Sequence, residues 1–467
     1  MIPNGVGIVF LTFVVVVAVG RWALSLVRVY QFKRQMGCKP AAQWGQLDPI
    51  LGIDQFRIFK QNALQRRVLE GLTQRYLTTN RHTQTLRLMG RSLVMTCEPE
   101  NVKAALIRPS FTRAQVSDLE CVETHIQNLI ERLPGDGETV DLQRLFFNLT
   151  IDNSTEFLLG RSINCQTIPA MTYFSEAWDH AEGCLTGRVR LGKVVGLIDR
   201  LKKDESFEQA CDTVHTFVDS YIAEMLQQGQ SKAADDAAAA KTRRYNLLSE
   251  LSAVCRDPAQ LRSELLNVLL AARDTTAGLL SSIFYFVARD PDVWAALAAE
   301  VDQLEGKVPD YDTLKRMRIL RSIIDETLRL HPPVPINMRF AERDTTIPRG
   351  GGADGSAPVY IAKGAVVHYS VWAMHRLPSI YGPDAEVFRP SRWLNDGLRP
   401  GWGYLPFNGG PRVCLGQQSA LIDASYVVVR LVQHFGRIEA RGGVFRESIA
   451  LTLSHADGVK VALWKRV

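Results

Sequence analysis

The chain has 467 residues, of which 46% are hydrophobic and 22% charged, so it can bury a sizeable core and is not a disordered chain. Its formal charge of +6 is spread along the sequence without a long basic run, which argues against nucleic-acid binding. The eight cysteines stand singly, with no Cys-x-x-Cys pair, and this usage is typical of reduced thiols facing the cytosol.

The N-terminus is apolar enough to cross a membrane. Residues 1–20 carry no charged side chain, Arg21 and Trp22 suit the edge of a bilayer, and further basic residues follow. Positive charge after the span and none before it favours a body on the cytosolic side. A cleaved signal would need a basic start and a shorter apolar run, and a buried core helix is the other alternative. We predict a membrane anchor over residues 1–30.

The body of the protein follows a short connection. Residues 31–52 contain Pro40 and Pro49, which break helix and stiffen the chain, so we predict a proline-containing linker there. No internal repeat is visible beyond it. We therefore interpret residues 53–467 as one folded unit.

The residue pattern of this unit changes along the chain. Helical periodicity dominates residues 102–330, with a low-complexity surface loop at 229–241. Residues 332–405 are rich in proline, glycine and short apolar pieces, which predicts short strands, with a hairpin tip at 350–355. A helix is predicted over 417–435, followed by a closing strand pair. The fold class is therefore mainly α with a small β-rich lobe.

The strongest chemical signal is a glycine-rich loop that presents Cys414 immediately before a helix. Backbone N–H groups at a helix start stabilise a thiolate, which makes Cys414 a candidate axial ligand of haem iron. Gly410 and Gly416 would let the backbone approach a flat macrocycle, Arg412 could pair with a propionate, and Phe407 could shield the sulfur. A free buried cysteine beside a loop is the alternative.

This loop resembles the haem-binding signature of the cytochrome P450 family, and other motifs follow in the family's order. Glu326 and Arg329 match its Glu-x-x-Arg helix, and Arg392 matches the arginine that completes a structural Glu-Arg-Arg cluster. The resemblance implies the family's mainly helical fold with haem b as cofactor, Cys414 as its metal ligand, and a cluster that locks the loop.

A helix over residues 265–278 is apolar almost all round but has a charged and hydroxylic centre. Charge inside a buried helix is costly, so Arg273 and Asp274 need partners or a function. A buried ion pair with Thr275 bonded to the preceding turn would explain the pattern structurally. The segment also resembles the P450 family's long helix over the oxygen-binding face of the haem. Asp274 and Thr275 match the catalytic acid–alcohol pair of that helix, which delivers protons during oxygen activation.

Two further residues match family positions. Arg339 resembles the second propionate-binding arginine, and a surface arginine is the alternative. His375 lies far from the thiolate loop, and we interpret it as a hydrogen-bonded core residue rather than a ligand.

Some details of the resemblance favour the fungal group that hydroxylates n-alkanes and fatty acids. They lie at residues 37–40, 48–52, 272–278, in the glycine-rich hairpin at 350–355, and at 414–418. This implies a hydrophobic, long-chain aliphatic substrate, which for related fungal enzymes includes polyketide chains. It also implies an NADPH-dependent P450 reductase as electron donor, membrane lipid as a partner, and a single-pass location in the endoplasmic reticulum membrane.

One departure from the family concerns residues 98–108. They lead almost directly into the Arg-Pro-x-Phe element at 108–111, without the substrate-contacting loop and the Trp-x-x-x-Arg helix that bind substrate and a propionate in the family. We predict an internal deletion of several tens of residues there. The alternatives to a working monooxygenase are a haem-binding chain with impaired catalysis or a mis-spliced product, and a peroxygenase or isomerase that needs no reductase.

Overall fold

The structure is a computed structural model, which describes residues 4–106, 119–191, 204–231, 247–394 and 397–466. Most of these residues are helical, as predicted. The helices are α1 (Asn4–Gln35), α2 (Ile53–Leu64), α3 (Val68–Thr79), α4 (Pro99–Leu106), α5 (Leu119–Arg132), α6 (Leu142–Leu159), α7 (Thr172–Leu191), α8 (Glu205–Ser231), α9 (Leu247–Val254), α10 (Pro258–Val287), α11 (Pro291–Asp302), α12 (Tyr311–Arg316), α13 (Arg318–Leu330), α14 (Val371–Met374), α15 (Pro378–Tyr381) and α16 (Gln417–His434).

The strands form four small sheets. The largest has the order β1-β2-β3-β8-β5, β6 pairs with β7, β10 pairs with β11, and β12 lies between β4 and β9. The strands are β1 (Ala42–Gln43), β2 (Thr83–Leu88), β3 (Arg91–Thr96), β4 (Asp136–Asp141), β5 (Ile336–Phe340), β6 (Thr345–Gly351), β7 (Ala357–Ile361), β8 (Val366–Ser370), β9 (Phe435–Ala440), β10 (Glu447–Ile449), β11 (Leu453–His455) and β12 (Lys460–Lys465).

Helix α1 has the length and composition of a membrane span. Within the described residues it is the one helix that satisfies both criteria, over Thr12–Gln35, and none of its apolar stretch is buried against the protein. Lys33 and Arg34 lie in its last turn, where their positive charges interact favourably with the negative end of the helix dipole. The helix continues to Gln35, past the predicted end of the anchor at residue 30.

The predicted linker is shorter and more ordered than its prolines indicate. Strand β1 pairs in parallel with β2, and Trp44 is 2% exposed, with its ring edge-on to Tyr76 at a centroid distance of 5.9 Å. Residues 31–52 are thus helix at one end and sheet edge in the middle. Proline breaks helix, but it is tolerated beside the short edge strand found here.

The core is built around α10. Asp257 caps its N-terminus by accepting a hydrogen bond from Ala259 N–H, and Pro258 occupies the first turn, where its missing N–H costs nothing. Helix α6 packs along it, with the Phe146 and Phe284 rings 5.3 Å apart. Buried aliphatic residues from α5, α13 and α16 complete this core, each contributing about 1.5–3 kcal/mol of apolar burial.

Other local predictions have clear outcomes. Helix α16 matches the predicted 417–435 helix, and β6 and β7 form the predicted hairpin around 350–355. The closing strands do not form a simple pair, because β12 pairs with β9 and also with β4, which lies far earlier in the chain. Most of the 229–241 loop and the 108–111 element lie outside the described residues. The seven cysteines whose side chains are described are all free thiols.

Candidate haem-thiolate site

The loop that carries Cys414 is held by its own backbone. Asn408 and Gly410 adopt left-handed φ angles of 58° and 59°, and a 3-10 turn follows at Gly410–Arg412. Cys414 N–H donates to Phe407 O at 2.9 Å, which closes the loop just before α16 begins. Cys414 itself is exposed, as is Leu415 at 72%. The loop therefore presents a cysteine and apolar side chains outward instead of packing them into the core.

The thiol of Cys414 does not ionise readily in the protein alone. Surrounding protein raises its pKa above the ordinary value, and the hydrogen bond from Gly416 N–H opposes that rise. A coordinated metal ion deprotonates the thiol that binds it. Thiolate character at Cys414 would therefore be a consequence of iron binding.

A buried ion cluster is centred on Glu326. Arg329 makes a bidentate pair with its carboxylate, both distances being 2.9 Å, and Arg392 Nε donates to the same carboxylate at 2.9 Å. Trp393 Nε1 and the backbone N–H of Arg389 donate at 2.8 Å each. Although burial opposes its charged form, these donors hold the pKa of Glu326 below its ordinary value. The structure thus brings together the three residues that the sequence predicted as a cluster.

His375 connects this cluster to the chain that leads into the loop. Its Nδ1 hydrogen-bonds Arg329 O at 3.1 Å, and its Nε2 accepts from Leu405 N–H at 2.8 Å. Burial lowers its pKa to about 3, so the ring is neutral, and the Leu405 bond places the proton on Nδ1. The structure therefore places His375 as a hydrogen-bonded core residue.

The two candidate propionate arginines differ in environment. Arg412 is exposed, and within the described ranges no carboxylate pairs with it. Arg339 is half-buried and donates to Asn337 Oδ1 and Met338 O, both neutral acceptors, beside the ring of Tyr369. Neither guanidinium is neutralised by a described residue, which suits both to an anionic ligand.

The two glycines of the loop serve different ends. Gly410 needs to be glycine because of its left-handed backbone. Gly416 has an ordinary backbone, and a Cβ added there would have no atom within 4 Å. The space beside Gly416 is open, Cys414 is exposed, and the two arginines have no acidic partner among the described residues. These features fit the binding of a flat anionic macrocycle. Among the described residues, no group of three or more His, Cys, Asp or Glu side chains could hold a metal ion.

Asp274 and Thr275 lie in the middle of α10 in different settings. Asp274 is 1% exposed and its Oδ1 accepts from Arg273 at 3.0 Å. Thr275 is partly exposed, and its Oγ1 donates to Ala271 O at 2.6 Å. These are the ion pair and the bonded threonine that the structural explanation of the sequence predicts. The geometry is also compatible with a relay, because the Thr275 oxygen keeps lone pairs that can accept a proton.

The sequence reasoning missed the partners of this ion pair. On α7, Ser175 Oγ accepts from Arg273 Nη2 at 3.0 Å and Asp179 Oδ1 accepts from Nη1 at 2.6 Å. Glu182, one turn further along the same face, is buried near Asp274, and the charge of Asp274 contributes to raising the pKa of Glu182. Their spacing of four and three residues was the available signal for a polar helix face, but nothing in the sequence indicates which helix it meets.

This chain has a mainly helical fold, an exposed cysteine just before a buried helix, and a buried Glu-Arg-Arg cluster. This combination is typical of haem-thiolate proteins. The family model for cytochrome P450 matches residues 115–444. The crystal structure of the cytochrome P450DA heme domain superposes with a TM-score of 0.73, at 20% identity, covering 92% of this chain and 98% of that one. The shared fold is therefore established.

Sequence relatives agree with this assignment. Cytochrome P450 monooxygenase himC from Aspergillus japonicus is 38% identical, covering 97% of this chain and 88% of the relative. Cytochrome P450 52A12 from Debaryomyces hansenii is 34% identical, covering 96% of each chain. The chain belongs to the cytochrome P450 family and is a monooxygenase of that family.

One of these alignments also reveals a difference in length. The alignment with the Aspergillus japonicus protein runs over 499 positions although this whole chain has 467 residues. Several tens of the aligned positions therefore have no residue in this chain. The deletion near 98–108 remains a prediction for where they are missing.

Proposed function

We propose that Cys414 is the axial thiolate of haem b and that this protein hydroxylates a hydrophobic, long-chain aliphatic substrate. The observation that carries the proposal is the presentation of Cys414, which is exposed just before α16 and held by the Phe407 carbonyl, on a loop whose preceding chain is tied through His375 to Arg329. A cysteine that served only packing would be buried like Cys97, which is 0% exposed.

Several residues would hold the haem. Cys414 Sγ would bind the iron, Arg412 and Arg339 would pair with the propionates, and Phe407, Gly410 and Gly416 would line the sulfur side. When bound, a haem with a thiolate ligand supplies dioxygen activation, in which one oxygen atom enters a C–H bond and two electrons and two protons convert the other to water.

The chain's own contribution on α10 is the handling of protons. Asp274 is a buried carboxyl next to a partly exposed hydroxyl, so a proton on Asp274 could pass to the Thr275 oxygen while Thr275 releases its own. Loss of the bond to Ala271 O is the cost of that movement, about 0.5–1.5 kcal/mol.

Substrate, electron source and location follow from the resemblance. The motifs shared with the fungal alkane and fatty-acid hydroxylases favour an alkane, fatty acid or polyketide chain. An NADPH-dependent P450 reductase would deliver two electrons. The exposed apolar helix α1 and the basic residues at its end favour a single span of the endoplasmic reticulum membrane, with the catalytic body in the cytosol.

The carbon monoxide difference spectrum of the reduced membrane fraction tests ligation. The parent and a Cys255→Ser control, altered at a cysteine far from the loop, should show the thiolate-type Soret band, and Cys414→Ser should lose it. A band that survives in Cys414→Ser would assign the ligand elsewhere. No band in a well-expressed parent would contradict haem-thiolate function for this chain.

Turnover with fatty acids and alkanes, in the presence of a reductase and NADPH, tests the reaction. Thr275→Ala should keep the band but lower the product formed per NADPH by about tenfold. Unchanged coupling in Thr275→Ala would contradict the relay. A band without any product in the parent would identify a haem-binding chain that does not turn over, and sequencing the transcript across codons 98–108 would then show whether the missing segment is natural.

A further inference from the structure

Helix α7 presents a polar face to the centre of α10. Ser175, Asp179 and Glu182 follow one another at helical spacing. Ser175 and Asp179 accept hydrogen bonds from Arg273, and Glu182 is close enough to interact electrostatically with Asp274. Glu182 is 9% exposed, whereas the side chain of Asp179 is 57% exposed. The face therefore runs from solvent at Asp179 to a buried carboxyl at Glu182.

The charges of this cluster do not balance. One guanidinium, Arg273, faces the carboxyl groups of Asp179, Asp274 and Glu182. Arg273 donates to Asp179 and to Oδ1 of Asp274. The second oxygen of Asp274, Oδ2, is buried and receives no hydrogen bond from any described N–H or hydroxyl donor. Two neighbouring buried carboxylates with one uncompensated oxygen are unstable unless they share a proton.

We propose that Glu182 and Asp274 share one proton at neutral pH and that Glu182 is the positioning residue that supplies Asp274 with the proton it passes toward Thr275. This inference rests on the proposed role of Asp274. In the step, the O–H bond of Glu182 breaks and an O–H bond to Asp274 forms, so Glu182 becomes the carboxylate and the charge of the pair is conserved. Glu182 then regains a proton from water.

The surroundings of Glu182 explain why the proton rests there. Burial and the charge of Asp274 raise the pKa of Glu182 to about 8, and burial raises that of Asp274 as well, while Arg273 opposes both rises. Asp179 instead reaches solvent and has its own bond to Arg273. A neutral Glu182 leaves Asp274 with the single negative charge that Arg273 can compensate.

Two other elements near the pair, the β10–β11 hairpin and α6, contribute contacts without adding a cation. The β10–β11 turn contributes Leu451 N–H, which donates to Glu182 Oε1 at 3.4 Å. The titratable groups of that hairpin have partners elsewhere, Glu447 at the backbone of α3 and His455 at Ser282. Helix α6 contributes the Phe147 ring, which lies against Arg273 and carries no charge. Among the described residues, Arg273 is the cation that opposes the rise in pKa of both carboxyl groups.

Infrared spectroscopy of the full-length protein detects the proton directly. The parent should show the C=O band of a protonated, buried carboxylic acid at neutral pH. Glu182→Gln should abolish the band, and Asp274→Asn should shift it. Glu176→Gln changes an exposed glutamate of the same helix and should leave it unchanged. A band that persists unaltered in Glu182→Gln would overturn the proposal.

The pH dependence of thermal unfolding is a second test. The folded-state pKa of Glu182 is raised, so its protonated form stabilises the protein below the ordinary glutamate value, and that stability is lost as the pH rises toward about 8. Glutamine keeps the neutral amide at all pH values. The Tm of Glu182→Gln minus that of the parent should therefore increase from about pH 5 to about pH 8, and a constant difference would contradict the proposal.

Turnover separates this inference from the proposed function. Glu182→Gln should keep the thiolate Soret band and form about tenfold less product per NADPH, most strongly at low proton concentration, whereas Glu176→Gln should match the parent. If Glu182→Gln formed as much product per NADPH as the parent at every pH, the shared proton would have no role in proton delivery. That result would overturn the inference. A missing Soret band in all variants would contradict the haem-thiolate proposal alone, because the infrared band does not depend on haem.

Discussion

Two buried clusters of charge in the described part of this protein are built on opposite principles. Around Glu326, two arginines, an indole N–H and a backbone N–H all donate to one carboxylate, and its pKa is lowered. Around Asp274, three carboxyl groups share one arginine, one oxygen has no donor, and the pKa values of Asp274 and Glu182 are raised.

We interpret the Glu326 cluster as structural and propose a functional role for the Asp274 cluster. A carboxylate whose every lone pair is satisfied has no reason to accept or release a proton, so the Glu326 cluster can only hold backbone segments in place. A cluster with surplus carboxyl groups holds a proton that is easily moved, at some cost in stability. We therefore expect the first cluster to dominate folding and the second to dominate pH-dependent chemistry.

The largest expected effect comes from Glu326→Ala. It leaves two guanidinium groups buried without their anion, which should lower the free energy of unfolding by about 3–5 kcal/mol or prevent accumulation of folded protein. Chemical denaturation of the purified chain measures this. The matched control is Glu70→Ala, which breaks an exposed i,i+3 Arg–Glu pair and should change stability little. Equal effects of the two substitutions would remove the distinction drawn between buried and exposed pairs.

A moderate effect is expected on the pH dependence of stability, in which Glu326 and Glu182 should act on opposite sides of the curve. Glu326 has a lowered pKa, so the stability it contributes is present above the ordinary glutamate pKa and is lost as the pH falls through the lowered value. Glu182 has a raised pKa and acts on the alkaline side, up to about 8. Thermal unfolding against pH should show that Glu182→Gln alters the alkaline side and leaves the acid side as in the parent. A change confined to the acid side would reverse the assignment of the two clusters.

The smallest effects should come from the loop that the Glu326 cluster supports. Gly410→Ala places a side chain at a left-handed φ and should destabilise the fold by about 1 kcal/mol. Gly416→Ala adds a Cβ into open space and should leave the stability of the haem-free protein unchanged while lowering the haem bound per protein. Denaturation of the haem-free chain and haem quantitation measure the two effects. Normal haem content in Gly416→Ala would show that the macrocycle does not approach this glycine.

Much of the site could be predicted because its residues are close in sequence or lie in ordered motifs. The loop from Phe407 to Gly416 is one contiguous stretch, so residue types and spacing alone indicate its chemistry. Glu326 and Arg329 are one helical turn apart, and only Arg392 had to come from another element. The long apolar helix at the N-terminus could be predicted from hydropathy, which depends on local composition and not on packing.

What the sequence could not determine is which surfaces meet. Three features join segments that are distant in sequence: the sheet edge at Trp44, the pairing of β12 with β4, and the contact of α7 with α10. In the last of these, Ser175 lies 98 positions from Arg273. Local periodicity shows that a helix has a polar face, but the partner of that face depends on how the whole core packs. The sequence alone therefore determined the family, the apolar N-terminal helix and the cysteine loop. Only the tertiary structure decided that Asp274 lies beside a second buried carboxyl, because that proximity depends on long-range packing and not on local residue order.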